Sequence, residues 1–324
     1  MKSFESFFAR QMEDFIAYRK GLGYNEKNIR KALLTLDRCL LQQPDPSVVW
    51  QPVFYLKIRK DLKLAPSSAN GVLYAARCFF QYLLRTGQCR NNPLQDVPPL
   101  SPQAFIPFVF SPQQVDELLA AVCSQVRKNR RCFLSDLSEY LVILLLACCG
   151  MRINEPLRLT IKQYRADEKT IYIEKTKFKK DRLIPIPTAV AKEIDNYLAA
   201  RAALSQEVAN PFLFIGRRQK GLYDQRIRLV FHTALKRIDI DRPRQAIGNT
   251  IFGQPTPHSL RHSFAVNTLK AAMARGQAAQ NVLPVLAAYL GHVEYRHTMK
   301  YLKVVDAKSG VRLLNFAGSQ REDP

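Results

Sequence analysis

The stretch NNPLQDVPPLSPQAFIPFVFSP, residues 91–112, carries prolines at 93, 98, 99, 102, 107 and 112 and separates two parts of the chain that differ in pattern. A proline inside a helix removes a backbone donor and clashes with the preceding turn, so no helix interior runs through these residues. They predict a Pro-rich linker over residues 99–110, an N-terminal domain over 1–98 and a second domain over 111–324.

On the N-terminal side, apolar residues recur every three to four positions. Residues 4–20 place Phe4, Phe7, Phe8, Met12, Phe15 and Ile16 on one helical face, and residues 25–42 do the same with Ile29, Leu33, Leu36 and Leu40. The PDPS stretch at 44–47 breaks the pattern, which resumes over 48–63 and 66–86. Ser67 or Ser68 is expected to cap the last of these and Gly87 to stop it, giving an all-helical domain of about four helices.

On the other side, SPQQVDELLAAV opens a helix with Ser111 as cap and Pro112 in its first turn, and residues 135–149 form a strongly apolar helix central to a second core. The period then changes to two. In TIKQYRADEKTIYIEKTKFKKDRLIPIP (160–187), Ile171, Ile173, Leu183, Ile184 and Ile186 fit a small two- or three-stranded antiparallel sheet with lysines at its second turn. Helical spacing returns over 188–204, 223–238, 259–275, 279–290 and 297–303. The fold class expected is mainly α with a small antiparallel β-sheet.

Composition narrows the function. With 324 residues and 47% hydrophobic content the chain buries ordinary cores, which excludes a disordered tail. Lys plus Arg number 49 against 27 for Asp plus Glu, a net +22, of which +7 falls in residues 1–100 and +15 in the remainder. Positive surface on both parts suits a protein that grips a polyanion with two lobes, because such surface releases counterions from nucleic-acid phosphates. The seven cysteines (39, 78, 89, 123, 132, 148 and 149) are odd in number and form no CxxC pair, so they read as reduced core residues rather than zinc or redox ligands. Acidic and basic residues interrupt the apolar N-terminus, and the longest apolar run, Tyr140 to Cys149, is about half a bilayer span. A cytoplasmic protein without a membrane partner is expected.

Five histidines exist, at 232, 258, 262, 292 and 297. His258 lies three residues before Arg261 in PTPHSLRHSFAVNTL, which puts imidazole and guanidinium on one helix face, and His292 follows Gly291 at the stop of a helix. An imidazole and several arginines around one point suit phosphoryl transfer on a diester, since guanidinium forks stabilise charge growing on the non-bridging oxygens. Carboxylates to hold Mg²⁺ are scarce, so neither metal nor other cofactor is expected, and a tyrosine hydroxyl serves as the nucleophile.

Taken in order, GMRINEPLRLT (150–160), TKFKKDRLIPIP (176–187), HSLRHSFA (258–265), LGH (290–292) and Tyr301 resemble the motifs of the tyrosine recombinase or phage integrase family in sequence and spacing. The resemblance covers nearly the whole chain. It implies a four-helix, SAM-like core-binding domain that clamps DNA, followed by a tyrosine recombinase catalytic domain whose C-terminal tail oligomerises through Leu313, Leu314 and Phe316. Arg152 and Arg261 would clamp the scissile phosphate, His258 would assist proton transfer, His292 would hydrogen-bond a phosphate oxygen, Lys177 would protonate the departing 5′ oxygen and Tyr301 would attack. Glu155, read as sharing a helix face with Arg152, would orient it.

Lys175, Lys179 and Lys180 crowd the same hairpin as Lys177 and are read as phosphate contacts; Tyr289 is read as core, and Tyr295 stands too close to His292 to serve. Two positions depart from the family pattern: Met151 replaces a leucine, and Pro156 follows the glutamate, where it fits the first turn of a helix starting near Asn154. His262 is read as a structural hydrogen-bonding residue. The implied activity is site-specific recombination of double-stranded DNA at paired inverted-repeat core sites, through a 3′-phosphotyrosyl intermediate and a Holliday junction, by a tetramer that integrates, excises or resolves a mobile element. The alternatives are type IB topoisomerase-like relaxation and a non-catalytic DNA-binding regulator.

Overall fold

The computed structural model describes residues 2–43, 45–101, 103–174, 181–204, 210–217, 221–292, 294, 298–299 and 301. The chain divides into two compact units, Met1–Ala104 and Phe105–Pro324.

The first unit is built from α1 (Ala9–Gly21), α2 (Lys27–Leu41), α3 (Pro52–Asp61) and α4 (Pro66–Arg85). Phe4 and Phe8 precede α1 yet are buried. The buried Asp37 carboxylate explains this, because it accepts the backbone amides of Glu5 and Ser6 at 3.0 Å each and folds the N-terminal segment onto α2. Neither Ser67 nor Ser68 caps α4; the helix starts one residue sooner, at Pro66, whose fixed φ suits a first turn. Asp45 caps a short 3₁₀ helix, Pro46–Trp50, which begins in the expected break and takes up the first residues of the helix expected from 48, so that α3 starts at Pro52 instead. Aromatic rings fill the core, with Phe8, Trp50 and Phe80 meeting edge to face at 5.6–5.7 Å.

Among the described residues no helix runs between Arg85 and Pro112, but the chain there is not a free linker. Arg77 donates to the carbonyls of Leu94 and Val97 (3.1 and 2.8 Å), and the Asn70 amide bonds both backbone groups of Leu100. From Phe105 the chain belongs to the second unit: Phe110 is fully buried against Phe108 and Phe231, and its amide donates to Ser263 Oγ at 2.8 Å. Residues 99–110 are thus divided between the two units.

The second unit begins with β1 (Ala104–Ile106) and α5 (Pro112–Cys123), whose N-terminus carries the expected Ser111 cap, closed reciprocally by Gln114. Next comes α6 (Phe133–Cys148), with Leu141 through Leu146 buried on all sides. Its buried acids are paired, Asp136 with Arg127 and Glu139 with Arg226, both at 2.7 Å. The strands β2 (Tyr164–Arg165), β3 (Thr170–Ile173) and β4 (Arg182–Pro185) form an antiparallel sheet in that order, with Ile171 opposite Ile184. Ile171, Ile173, Ile184 and Ile186 face the core while Leu183 is exposed, as strand alternation requires.

After α7 (Thr188–Leu204) and α8 (Asp224–Arg237), β5 (Gln245–Ile247) and β6 (Thr250–Phe252) join β1 in a second sheet, ordered β1-β6-β5, that the sequence did not announce. Then α9 (Pro257–Ala274) and α10 (Ala279–Leu290) pack together. The architecture of the described residues is mainly α with two small sheets, the first of them antiparallel. The cysteines are free; Cys149 is buried in a core, Cys39, Cys78, Cys89 and Cys148 are partly buried against one, and the reading as core residues fails for the exposed Cys123 and for Cys132, which belongs to neither core. No described helix is long and apolar enough to cross a membrane.

Candidate active site

Where α6 ends, Gly150 adopts a left-handed φ of +58°, and a Cβ there would stand 2.5 Å from Phe264 Cδ1. Glycine is therefore required, and the turn it makes carries Arg152 off the apolar helix. Arg152 and Glu155 do not share a helix, as the sequence suggested. Residues 153–155 are a turn, followed by a short 3₁₀ helix at Pro156–Arg158: the amides of Glu155, Arg158 and Leu159 reach carbonyls only three residues back, and the chain turns extended at Leu159, so no α-helix propagates. Glu155 nevertheless holds Arg152: its carboxylate accepts the Arg152 amide at 2.8 Å and the guanidinium at 3.0 Å. Arg152 also donates to the Gly291 carbonyl at 3.3 Å.

The same carboxylate takes a second arginine. Arg182, at the start of β4, donates to both Glu155 oxygens (3.1 and 2.9 Å) and through Nε to the Tyr289 carbonyl at 2.9 Å. Burial alone would raise the pKa of Glu155, but the bonds and charge of Arg182, with those of Arg152, outweigh it and hold the carboxyl below its ordinary value. The sequence gives one hint of Arg182, its place opening the strand RLIPIP.

At the start of α9, Ser259 Oγ accepts the Thr256 amide at 3.0 Å and fixes the first turn, from which His258 and Arg261 project. Arg261 is 1% exposed and donates to the carbonyls of Gly150 (2.7 Å) and Leu290 (2.6 Å), tying the end of α6 to the end of α10. Burial, with repulsion from Arg152, lowers its pKa to about 10, so it remains a cation at neutral pH. His258 is open to solvent on one side, yet crowding by the protein around it, reinforced by Arg261, Arg152 and Arg228, pushes its pKa down to about 4. It is neutral in the free protein.

Helix α10 ends at Gly291, which is left-handed at φ +65°. The turn presents His292, whose Nδ1 lies 2.8 Å from Thr298 Oγ1. Tyr301 is 4% exposed and packs against Val266, Leu269, Leu286 and Leu290, with its ring stacked on His292 at 6.0 Å and edge-on to His262 at 5.6 Å. His262 in turn meets His258 at 4.6 Å. Burial raises the phenol pKa above its ordinary value, although Arg261 and Arg152 favour the anion. Tyr289, read as core, is partly buried; it stacks on Phe264 and donates to the Pro185 carbonyl at 3.1 Å.

Five of the six expected site residues, Arg152, His258, Arg261, His292 and Tyr301, therefore belong to one connected cluster. Lys177, its neighbours Lys175, Lys179 and Lys180, Tyr295, and the tail residues Leu313, Leu314 and Phe316 lie outside the described residues. A cavity of about 390 Å³, lined by Phe105, Phe108, Arg244, Thr256, His258 and His262, opens beside the cluster. Among the described residues no group of three or more His, Cys, Asp or Glu side chains is placed to hold a metal ion.

Comparison with known proteins agrees with this geometry. The phage integrase family model matches residues 109–308. The tyrosine recombinase XerD of Shewanella oneidensis is 28% identical over 255 residues, 78% of this chain and 76% of that protein. XerA of Pyrococcus furiosus is 25% identical over 295 residues, 90% and 89% of the two chains. In three dimensions, a lambda integrase tetramer bound to a Holliday junction aligns with TM-score 0.64 at 13% identity, over 88% of this chain and 77% of that one, which shows a shared fold. The chain belongs to the phage integrase family, and it is a tyrosine-type site-specific recombinase.

Proposed function

We propose that this recombinase cuts and rejoins double-stranded DNA at paired inverted-repeat core sites in the cytoplasm, one strand pair at a time, through a 3′-phosphotyrosyl intermediate and a Holliday junction. In this reading Arg152 and Arg261 bind the non-bridging oxygens of the scissile phosphate, with His292 donating a further hydrogen bond. The Tyr301 oxygen forms a bond to phosphorus as the bond to the 5′ oxygen breaks. Neutral His258 takes the phenol proton, and the arriving phosphate raises its proton affinity by offsetting the arginines around it. Lys177 gives the proton that leaves a free 5′ hydroxyl. Guanidinium forks fixed before substrate arrives stabilise the charge on the pentacoordinate phosphorus without reorganisation.

The observation that carries this reading is the burial of Tyr301 beside His292 and among the arginines of its own chain. A tetramer acting on a junction is supported by the lambda integrase assembly that shares this fold and by the net charge of +22. Such a tetramer would integrate, excise or resolve a mobile element. A nicked suicide substrate, from which the freed strand diffuses away, tests the chemistry. The native chain should accumulate a covalent adduct, and Tyr301→Phe should bind DNA equally well and form none; an adduct surviving that change would remove Tyr301 from the role.

A further inference from the structure

Arg182 makes the most specific contacts in the site of any residue to which the proposed chemistry assigns no task. Its side chain is 10% exposed and that of Glu155 is 9%, against 25% for Arg152. It forks onto both Glu155 oxygens, whereas the Arg152 guanidinium makes one bond to this carboxylate, at Oε1. Its Nε holds the Tyr289 carbonyl, and its guanidinium fills the space beside Gly291, where a Cβ would stand 3.0 Å from it. One side chain thus joins β4, the carboxylate behind Arg152 and the turn that carries His292.

The charges decide what this does. An Arg152–Glu155 pair alone would be neutral, and a scissile phosphate approaching it would meet a cation already compensated by an anion about 3 Å away. Two cations on one carboxylate leave a net positive charge. Because the second cation is the more buried and is bidentate, the uncompensated charge resides on the more exposed one, Arg152. We propose that Arg182 is a positioning residue that neutralises Glu155, so that Glu155 can orient Arg152 without cancelling its charge toward the DNA phosphate.

This rests on the reading of Arg152 as a phosphate clamp, and the test separates the two. Single-turnover adduct formation on the suicide substrate is measured for the native chain, Arg182→Met, Arg182→Lys and the double variant Glu155→Gln/Arg182→Met. If the native chain forms no adduct, the recombinase chemistry itself fails. If it does, Arg182→Met should slow adduct formation by roughly 10- to 100-fold, with a thermal melt showing a folded protein. Removing the Glu155 charge as well should restore part of the rate, making the double variant at least about 5-fold faster than Arg182→Met. Arg182→Lys keeps the charge without the fork and should stay within about 5-fold of native, which keeps the test decisive should Arg182→Met not fold. A brace acting through hydrogen bonds alone predicts the opposite: a double variant no faster than Arg182→Met, or a lysine variant as impaired as the methionine one, overturns the proposal.

Discussion

Arg261 is almost wholly buried and directs its guanidinium donors to two backbone carbonyls, whereas Arg152 keeps a quarter of its side chain in solvent and is held by a carboxylate. Both are proposed to grip one phosphate. The difference is in what else depends on them. Arg261 closes the junction between the end of α6 and the end of α10, so the floor of the site and the fold share a residue. Arg152 stands on a turn that Glu155 and Arg182 hold without it.

Several variants sharpen or break this contrast. Arg261→Ala should show the largest effect. It leaves the Gly150 and Leu290 carbonyls buried without their donor, so chemical denaturation should report a loss of about 3–5 kcal/mol, and adduct formation should fall by about 10³-fold or more. Arg152→Ala should lose adduct formation by about 10²- to 10³-fold but change stability by no more than about 1 kcal/mol. If denaturation shows equal destabilisation for both, the division between floor and rim is wrong.

A smaller effect concerns pH. The folded-state pKa of His258 is depressed to about 4 from the ordinary 6.5. Between these values the unfolded chain binds a proton that the native site does not, so its contribution is complete above about pH 6.5 and lost as the pH falls toward 4. Adduct formation at subsaturating DNA, where the rate reports the free protein, should therefore keep its His258-dependent acid limb below about pH 6, and His258→Gln should remove that limb. A limb centred at the ordinary histidine value would contradict the crowding of this ring by the protein around it and by its neighbouring arginines. The smallest effect should come from Ser111→Ala, remote from the chemistry, which loses the α5 cap and about 1 kcal/mol in a denaturant titration while leaving adduct formation unchanged.

The parts of this molecule legible in the sequence were those with local causes. Helical spacing placed α2, α5, α6 and α10 to within a few residues, Ser111 and Gly291 marked the helix ends they form, and the alternation around Ile171 and Ile184 located the first sheet. The second sheet was hidden because its strands are three residues each, mostly exposed, and one lies in the Pro-rich stretch. The helix expected from Asn154 was misread because Pro156 does suit a first turn, while the Glu155 carboxylate at that turn is held by Arg182, 27 positions away. Arg182 was invisible as a site residue for a related reason: its partners Glu155 and Tyr289 stand 27 and 107 residues distant, and ion pairs at such separation leave no periodic trace.

The central claim is that one chain carries the nucleophile and the phosphate clamp together, since Tyr301 is packed on the same α9–α10 pair that Arg261 closes. Mixing Tyr301→Phe with Arg152→Ala on the suicide substrate tests this directly, because each chain then lacks one part. The account predicts no more covalent adduct from the mixture than the residual level that Arg152→Ala forms alone. Recovery of adduct on mixing would mean that the tyrosine is delivered by a neighbouring chain, and would contradict it.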